Sequence, residues 1–292
     1  MLGDCNPDLI VRGGRLEPAF GQVEQLVDEA RLVIGGSGAI TACGAAKLGV
    51  QTALVSLVGD DHFGRFMLEA MAENAVDVSG CITDEEQPTG VTVVLTRGDD
   101  RAILTAPGTI SALSGEQVDL GQVRRARHLH VSSYYLQTRL QPALPDLMAA
   151  ARAAGASTSL DTNWDPSERW DSGLTDLLPM VGHLFCNEQE ADALGGADHI
   201  VRTGTSVVIK RGARGATLVG RGGTLASSAP TVEAVDATGA GDSFDAGFIA
   251  GLLAGRPADQ CLRLACACGA LSTRALGGTA AQPTLAEADG CW

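Results

Sequence analysis

The run Val235-Asp-Ala-Thr-Gly-Ala-Gly-Asp242-Ser-Phe-Asp-Ala-Gly-Phe-Ile-Ala-Gly-Leu-Leu253 joins a turn of small residues to a continuous apolar segment. The apolar segment predicts a buried helix that begins at about Ser243. Glycines let the turn approach an anion closely, and the first amides of a helix have no partner inside the helix. The run therefore predicts an anion-binding turn with a carboxylate, Asp242, at the start of a helix.

Two uses of Asp242 are open from the residues alone. It could cap the helix, or it could accept a proton from a hydroxyl group that attacks a bound phosphate. The run is not G-x-G-x-x-G, because position 244 is Phe, and the pattern G-x-x-x-x-G-K-[ST] occurs nowhere in the chain. Neither a dinucleotide-binding turn nor a P-loop is therefore predicted.

Apolar, β-rich segments alternate with Ala- and Leu-rich segments on the amino-terminal side of this run. Such alternation predicts a mostly parallel sheet that is covered by helices on both faces, which is a three-layer α/β/α sandwich. The predicted strands are Thr52–Val58, His128–Ser132, Ser157–Asp161, His183–Cys186 and Ser206–Lys210. The predicted helices are 39–48, Phe63–Glu73, Pro142–Ala154, Gly173–Pro179 and Gln189–Leu194.

Two segments interrupt the alternation and resemble short strands joined by turns. They are Leu9–Leu32 and Gly90–Leu104, and the second contains a predicted turn at Gly98-Asp99-Asp100. We interpret them as a small β-sheet lid, inserted at about residues 9–32 and 88–105 into a single domain that spans residues 1–292.

Composition excludes several classes of partner. The chain has 292 residues and a formal net charge of −14, which repels nucleic acids and anionic membranes. It has no apolar stretch long enough to cross a membrane. None of the eight cysteines forms a C-x-x-C pair, so we expect reduced thiols and a cytoplasmic location.

The run Asp-Ala-Thr-Gly-Ala-Gly-Asp-Ser-Phe resembles the carboxyl-terminal signature of the ribokinase-like (PfkB-type) carbohydrate kinases. The segments Gly35–Ala39, Ala45–Gly49 and Val58–Asp61 resemble, in that order, the amino-terminal signature of the same family. The resemblance extends over essentially the whole chain. It implies a ribokinase-like fold and ATP-dependent phosphorylation of a small sugar.

The resemblance also implies roles for individual residues around the glycine turn. Asp242 is expected to be the catalytic base, and the amides of Gly239, Ala240 and Gly241 are expected to form the anion hole. The residues expected to bind the sugar are Asn6, Asp8, Gly35, Gly36, Asp161 and Asn163.

Further residues are expected to contact the nucleotide and its metal ion. The family's N-x-x-E motif matches Asn187 and Glu190, whose oxygens, one helical turn apart, suit a water-mediated Mg²⁺ site near the phosphates. Without the other motifs, a solvated helix face that begins with an Asn cap would be the preferred interpretation. The other expected nucleotide contacts are Lys210, Gly212, Thr238 and the segment Cys268–Thr279, part of the adenine pocket.

The acidic residue at the start of the glycine run matches a position that often ligates a monovalent cation in relatives. Here it is Asp236, and Ala237 replaces the more common Thr, so dependence on K⁺ is left open.

Two positions depart from ribokinase itself. Ribokinase usually carries Lys and Asn where this chain has Ser37 and Ile40, so strict ribose specificity is not expected. The Asp161-x-Asn163 pattern favours fructokinase-like or ketodeoxygluconate-kinase-like members. A nucleoside kinase and a non-catalytic sugar-binding protein stay open as alternatives. Relatives often dimerise through their lids, so we expect a homodimer.

One more departure lies at the beginning of the first strand. Only Met1 and Leu2 precede Gly3-Asp4, which predicts a short first strand and leaves open a start upstream of Met1.

Overall fold

A computed structural model describes residues 1–14, 16–17, 20–97 and 100–291. The predicted turn at Gly98-Asp99 lies outside the described residues. In chain order, the strands are β1 (Asn6–Arg12), β2 (Glu29–Gly35), β3 (Thr52–Ala53), β4 (Leu57–Gly59), β5 (Val76–Asp77), β6 (Ile82–Asp84), β7 (Val91–Arg97), β8 (Asp100–Ala106), β9 (His128–Val131), β10 (Ser157–Asp161), β11 (His183–Asn187), β12 (Ser206–Lys210), β13 (Ala216–Gly220) and β14 (Gly223–Ser227). The helices are α1 (Ser37–Lys47), α2 (His62–Glu73), α3 (Leu120–Arg125), α4 (Leu144–Ala153), α5 (Leu174–Leu177), α6 (Glu188–Ala193), α7 (Ala197–Arg202), α8 (Ala240–Leu253), α9 (Ala258–Ser272) and α10 (Leu285–Asp289).

The larger sheet has the strand order β14-β13-β12-β11-β10-β9. Strands β9 to β12 are parallel, and β13 and β14 form an antiparallel edge. Leu2 extends the sheet beyond β9, because it forms parallel bridges to both Val131 and Val55. Helices cover both faces of this sheet, so the predicted three-layer α/β/α fold is confirmed.

Strand β11 shows how one sheet supports two hydrophobic cores. Successive side chains of a strand point to opposite faces. Leu184 and Cys186 join the core that contains Met148 of α4, whereas Phe185 between them joins the core that contains Phe248 of α8. A strand buried on both faces has no polar alternation, which explains the short apolar runs in the sequence.

The prediction of one strand over Thr52–Val58 is wrong. The segment forms two separate strands, β3 and β4, because it changes partners along its length. Thr52 pairs with Val76 and Leu57 pairs with Ile82, while Val55, between them, bridges Leu2. Helix α8 also begins at Ala240, one turn earlier than predicted, which places Asp242 inside its first turn.

A second, four-stranded sheet has the order β2-β1-β7-β8. Its strands come from residues 6–35 and 91–106, and β1 lies parallel to β7 but antiparallel to β2. Leu2 lies beside Val131, the last residue of β9, so the chain passes the carboxyl edge of the larger sheet before β1 begins. The second sheet therefore stands at the edge where open α/β folds bind their ligands.

In the part of the chain described here, no helix combines the length and the apolar character needed to span a membrane. The cytoplasmic location stays a prediction.

Candidate active site

The glycine turn before α8 is closely packed. Gly239 caps the helix with a φ of 70°, a left-handed conformation that favours glycine. A Cβ atom at this position would lie 2.7 Å from Cα of Gly278 and 2.9 Å from Cγ2 of Ile40. Because both neighbours are buried, a side chain here would displace the turn. Of the predicted anion-hole amides, that of Ala240 donates to the carbonyl of Ala237 at 3.3 Å.

Asp242 has an unusual electrostatic environment at the start of α8. Burial and the nearby Asp161 carboxylate raise the pKa of Asp242 to about 8, and Asp4 adds to this effect. Lys210 and a hydrogen bond with the Ser37 side chain act in the opposite direction. A carboxyl group whose pKa lies near neutral pH is suited to accept a proton during catalysis.

A buried ion cluster lies beneath this helix start. The Lys210 ammonium forms an ion pair with Asp161 and lies 3.3 Å from both carboxylate oxygens of Asp245. Burial lowers the pKa of Lys210, but the two carboxylates outweigh burial and raise it well above its usual value. A Cβ on Gly241 would lie 3.3 Å from Nζ of Lys210. The ammonium therefore lies directly against the backbone of the glycine turn.

Asp245 is a residue that the sequence analysis missed. Its side chain is fully buried (0% exposed), although it is a carboxyl group. The sequence did contain a signal, because Asp245 is the one charged residue between Asp242 and Arg256 and follows Asp242 by three positions. Residues three apart share a helix face, so Asp245 lies below Asp242 on the side that faces the sheet.

Four of the six residues predicted to bind the sugar, Asn6, Asp8, Gly35 and Gly36, lie where β1 and β2 meet α1. A Cβ on Gly35 would lie 2.1 Å from Oδ1 of Asp8, and a Cβ on Gly36 would lie 2.9 Å from Oδ1 of Asn6. Nδ2 of Asn6 donates to Oγ1 of Thr92 at 3.3 Å. Oδ1 of Asn6 is buried without a hydrogen-bond partner among the described residues. The two glycines thus allow two polar side chains to lie against the backbone.

The oxygens of Asp161 are both occupied within the protein. Oδ1 accepts a hydrogen bond from the Asn163 amide at 2.7 Å, and Oδ2 binds Lys210. Nδ2 of Asn163 donates to Oγ of Ser133 at 3.2 Å and so links the ends of β9 and β10. Through these contacts, Asp161 binds the Lys210 ammonium below the glycine turn.

The two departures from ribokinase have different surroundings. Ile40 is 3% exposed, and a Cβ on Gly278 would lie 2.5 Å from its Cδ1 atom, so it packs beneath the glycine turn. The backbone amide of Ser37 donates to Asp4 at 3.1 Å, and the Ser37 side chain lowers the pKa of Asp242. Ser37 thus lies beside the predicted base. Asp4, which the sequence analysis passed over, also accepts from the Gly38 amide at 2.9 Å.

Asn187 and Glu190 form a reciprocal cap at the start of α6. The backbone amide of Asn187 donates to Oε2 of Glu190 at 2.8 Å, and its side-chain Nδ2 donates to Oε1 at 2.7 Å. In return, the backbone amide of Glu190 donates to Oδ1 of Asn187 at 2.9 Å. Oγ1 of Thr162 also donates to Oε2 of Glu190, at 3.0 Å. Both carboxylate oxygens already accept hydrogen bonds, which is compatible with a water-mediated contact to a metal ion.

Asp236 organises the loop that leads into the glycine turn. Its Oδ1 accepts hydrogen bonds from the Thr238 amide at 2.9 Å and the Thr238 hydroxyl at 2.7 Å, and its Oδ2 accepts from the Gly277 amide at 2.8 Å. The Asp236 side chain therefore joins the glycine turn to the loop after α9. Of the other predicted nucleotide contacts, Gly212 is exposed with a φ of 57°, and Cys268 is buried in α9.

Asp242 lies in the first turn of a helix that follows a glycine turn, next to the end of β12 at the carboxyl edge of the parallel sheet. This arrangement is compatible with phosphoryl transfer. A family model described as "pfkB family carbohydrate kinase" matches residues 1–285. The chain belongs to this family, and it is a kinase that acts on a sugar hydroxyl.

Three similar proteins illustrate the range of the family. The chain is 31% identical to an ATP-dependent ribose-1-phosphate kinase from Halopiger xanaduensis, over 96% of this chain and 93% of the relative. It is 34% identical to a fructokinase from Klebsiella pneumoniae, over 85% of this chain and 88% of the relative. The structure of an E. coli protein assigned as ribokinase II, solved with ATP and Mg²⁺, superposes on this chain with a TM-score of 0.85. The two sequences are 25% identical, and the superposition covers 99% of this chain and 96% of the E. coli chain.

Proposed function

We propose that this protein transfers the γ-phosphoryl group of ATP to a hydroxyl of a small sugar, with Asp242 as the base. The observation that carries the proposal is the position of Asp242 in the first turn of α8, directly behind the left-handed Gly239. A carboxylate in the first turn of a helix lies close to the amides that have no partner inside the helix. A sugar hydroxyl held there would lose its proton to Asp242 while the amides of residues 239–241 stabilise the phosphate, with the Ala240 amide exchanging its 3.3 Å contact to Ala237 for the phosphate.

The nucleotide and the metal ion are part of the same proposal. The E. coli structure contains ATP and Mg²⁺, which supports their use here. Among the described residues, no group of three His, Cys, Asp or Glu side chains could hold a metal ion alone. The Asn187–Glu190 pair, whose oxygens are already hydrogen-bonded, suits an ion that reaches the protein through water. Bound Mg²⁺ would supply charge neutralisation for the phosphates.

The proposed roles on the nucleotide side follow the positions of the residues. Thr238 and Gly212 lie in turns beside the start of α8 and the end of β12, so the nucleotide would lie between them. Dependence on K⁺ stays a prediction. The Asp236 carboxylate is committed to Thr238 and Gly277, so a cation there would need further oxygen ligands.

On the sugar side, we propose that Asp8 and Asn6 bind hydroxyl groups of the sugar, and that the backbone of Gly35 and Gly36 lies against the sugar.

Replacing Gly35 with alanine is expected to raise the KM for the sugar about 10-fold, because the new methyl group would displace the Asp8 carboxylate. The KM for ATP should stay within about twofold, since the nucleotide is proposed to lie at the other end of the site. Steady-state kinetics with each substrate varied in turn measures both constants. Equal changes in the two KM values would contradict the assignment.

The substrate class is best tested by coupled ADP release. We propose a furanose or keto sugar, a choice supported by the ribose-1-phosphate kinase and fructokinase names of the relatives. The panel should contain ribose, ribose 1-phosphate, fructose, 2-dehydro-3-deoxygluconate and adenosine. The expected result is turnover of one sugar far above the others, abolished in Asp242→Asn. A preference for adenosine would favour the nucleoside alternative. Calorimetry that shows sugar binding without ADP formation would overturn the catalytic proposal.

We also propose that the protein forms a homodimer through the four-stranded sheet. Strand β8 is an edge strand, and its adjacent residues Ile103 and Leu104 are 55% and 60% exposed. Adjacent side chains point to opposite faces, so neither face of this strand is covered at that point. In sedimentation velocity at micromolar concentration, the wild type should have twice the mass of one chain. The Leu104→Glu variant should have the mass of a single chain. Wild-type protein that sediments as a single chain at every concentration would contradict the dimer.

A further inference from the structure

The proposed reaction leaves Asp245 without a role, although its carboxyl group is fully buried. It contacts Lys210 of β12 and Asp161 of β10, and both lie immediately below the predicted base, Asp242. Three carboxyl groups therefore surround one ammonium in a site withdrawn from water. The other titratable groups that face this cluster from neighbouring elements are Asp4, His130, Cys186 and Glu190.

Two carboxyl groups that share one buried site rarely ionise together, because their charges repel and burial penalises each charge. The pKa of Asp245 is raised well above its usual value, mainly by burial; Lys210 lowers it, and Asp161 and Asp242 raise it further. Burial also acts on Asp161, but the ion pair with Lys210 keeps its pKa below the usual value. Lys210 also lies closer to Asp161 than to Asp245, which favours Asp161 as the ionised partner and Asp245 as the one that keeps its proton.

We propose that Asp245 is a positioning residue: a neutral carboxylic acid that donates a hydrogen bond to Asp161, accepts one from Lys210, and so holds the ammonium beneath Gly241. Nζ of Lys210 lies 3.3 Å from each oxygen of Asp245, so either oxygen can accept from the lysine and leave the other to carry the proton. One oxygen can accept from the lysine while the protonated oxygen donates to Asp161. The effect on catalysis rests on the proposed function.

The position of the ammonium has a consequence for the base. Lys210 is a cation that lowers the pKa of Asp242 against the effects of burial and Asp161. If Asp245 were removed, Asp161 alone would hold the lysine, and the ammonium would move away from the start of α8. The pKa of Asp242 would then rise further above about 8. Because the base acts only when ionised, activity at neutral pH would fall and would recover as the pH rises.

The test compares Asp245→Asn with Asp245→Leu. Asparagine can donate from its amide nitrogen and accept with its oxygen, so it should replace a neutral acid with less than about a threefold loss of kcat/KM. Leucine has a similar volume but makes neither hydrogen bond. We expect it to lower kcat/KM at pH 7 about 10-fold and to move the acid limb of the kcat/KM profile up by about one pH unit. The Leu variant should therefore approach wild-type activity above pH 9.

A control variant separates this effect from a loss of packing. Phe248 lies on the same helix, 1% exposed, and packs on Phe185 rather than on Lys210. Phe248→Leu should lower the Tm without moving the acid limb. Two results would overturn the inference. If Asp245→Asn behaves like Asp245→Leu, Asp245 acts as an ionised counter-ion; if neither variant moves the limb, its role is structural.

A measurement without turnover keeps this inference separate from the proposed function. The ionisation of Asp242 can be followed in the substrate-free enzyme by the ¹³C chemical shift of its carboxyl group. The apparent pKa of Asp242 should be higher in Asp245→Leu than in wild type, and nearly unchanged in Asp245→Asn. A wild-type protein with no phosphoryl transfer would defeat the proposed function, and this titration would still decide the role of Asp245.

Discussion

Replacing Asp242 with asparagine is expected to lower kcat by at least about 100-fold, the usual scale for the loss of a positioned base. The amide has the shape of the carboxylate but cannot take the proton of the sugar hydroxyl. The glycine turn does not depend on this side chain, because Gly239 caps the helix through its own backbone conformation. Substrate affinities should therefore change much less than kcat, and the kinetic loss should appear in the chemical step.

The same variant makes a prediction about stability. The pKa of Asp242 is raised from 3.8 to about 8 in the folded protein, so folding favours the protonated form. The stabilisation from this group is complete below pH 3.8 and is lost as the pH rises through about 8. At pH 8 to 9, the neutral asparagine should leave the Tm equal to or above that of wild type. Thermal unfolding and coupled ADP release measure the two effects.

A matched control for Asp242→Asn is Asp259→Asn. Asp259 also lies in the first turn of a long helix, α9, which follows α8 in the chain. Its side chain is exposed, and α9 does not begin at the glycine turn. This variant should keep the wild-type kcat. If Asp242→Asn keeps more than about a tenth of the wild-type turnover, the base must be another group.

Lys210→Met is expected to reduce the free energy of unfolding by about 3–5 kcal/mol at neutral pH, the scale for removing one partner of a buried ion pair. Only 17% of the Lys210 side chain is exposed, and 7% of Asp161, so water cannot replace the lost ammonium. The methionine chain fills a similar volume, which limits the loss from packing. The main cost is the carboxylate left without its cation.

The loss in Lys210→Met should depend on pH. In the wild type, Lys210 holds the pKa of Asp161 below 3.8, although burial alone would raise it. The stabilisation from this pair is therefore present above the unfolded pKa and is lost as the pH falls through the folded one. In the variant, Asp161 can take up a proton and become neutral. The difference from wild type should thus be largest above neutral pH and should shrink towards pH 4.

Urea unfolding at pH 5, 7 and 9 measures this difference directly. The matched control is Lys47→Met, which replaces the other lysine of the chain, an exposed residue at the end of α1. It should change stability by no more than about 0.5 kcal/mol. A loss for Lys210→Met that is as small as the control, or that is independent of pH, would show that the ammonium is not held in the buried cluster.

Some parts of the site could be predicted from the sequence because they depend on neighbouring residues. The turn at Gly239 requires a left-handed residue with no side chain, and the following helix shows its apolar character directly. Other parts could not be predicted. Asp161 and Lys210 are 49 positions apart, and Lys210 and Asp245 are 35 apart. No local pattern shows that these side chains meet, so the sequence analysis did not predict the cluster; the roles of Lys210 at the nucleotide and of Asp161 at the sugar stay predictions.

The sequence by itself determined the family, the alternation of strands and helices, and the position of the glycine turn with Asp242. The family follows from the resemblance of two signature motifs, whereas the alternation and the glycine turn follow from periodicity and backbone preference over a few consecutive residues. Only the tertiary structure decided that β10, β12 and α8 bring Asp161, Lys210 and Asp245 into one buried cluster. The physical reason is that a charge inside a protein must find its partner through the packing of distant elements, and that packing determines which carboxyl group keeps its proton.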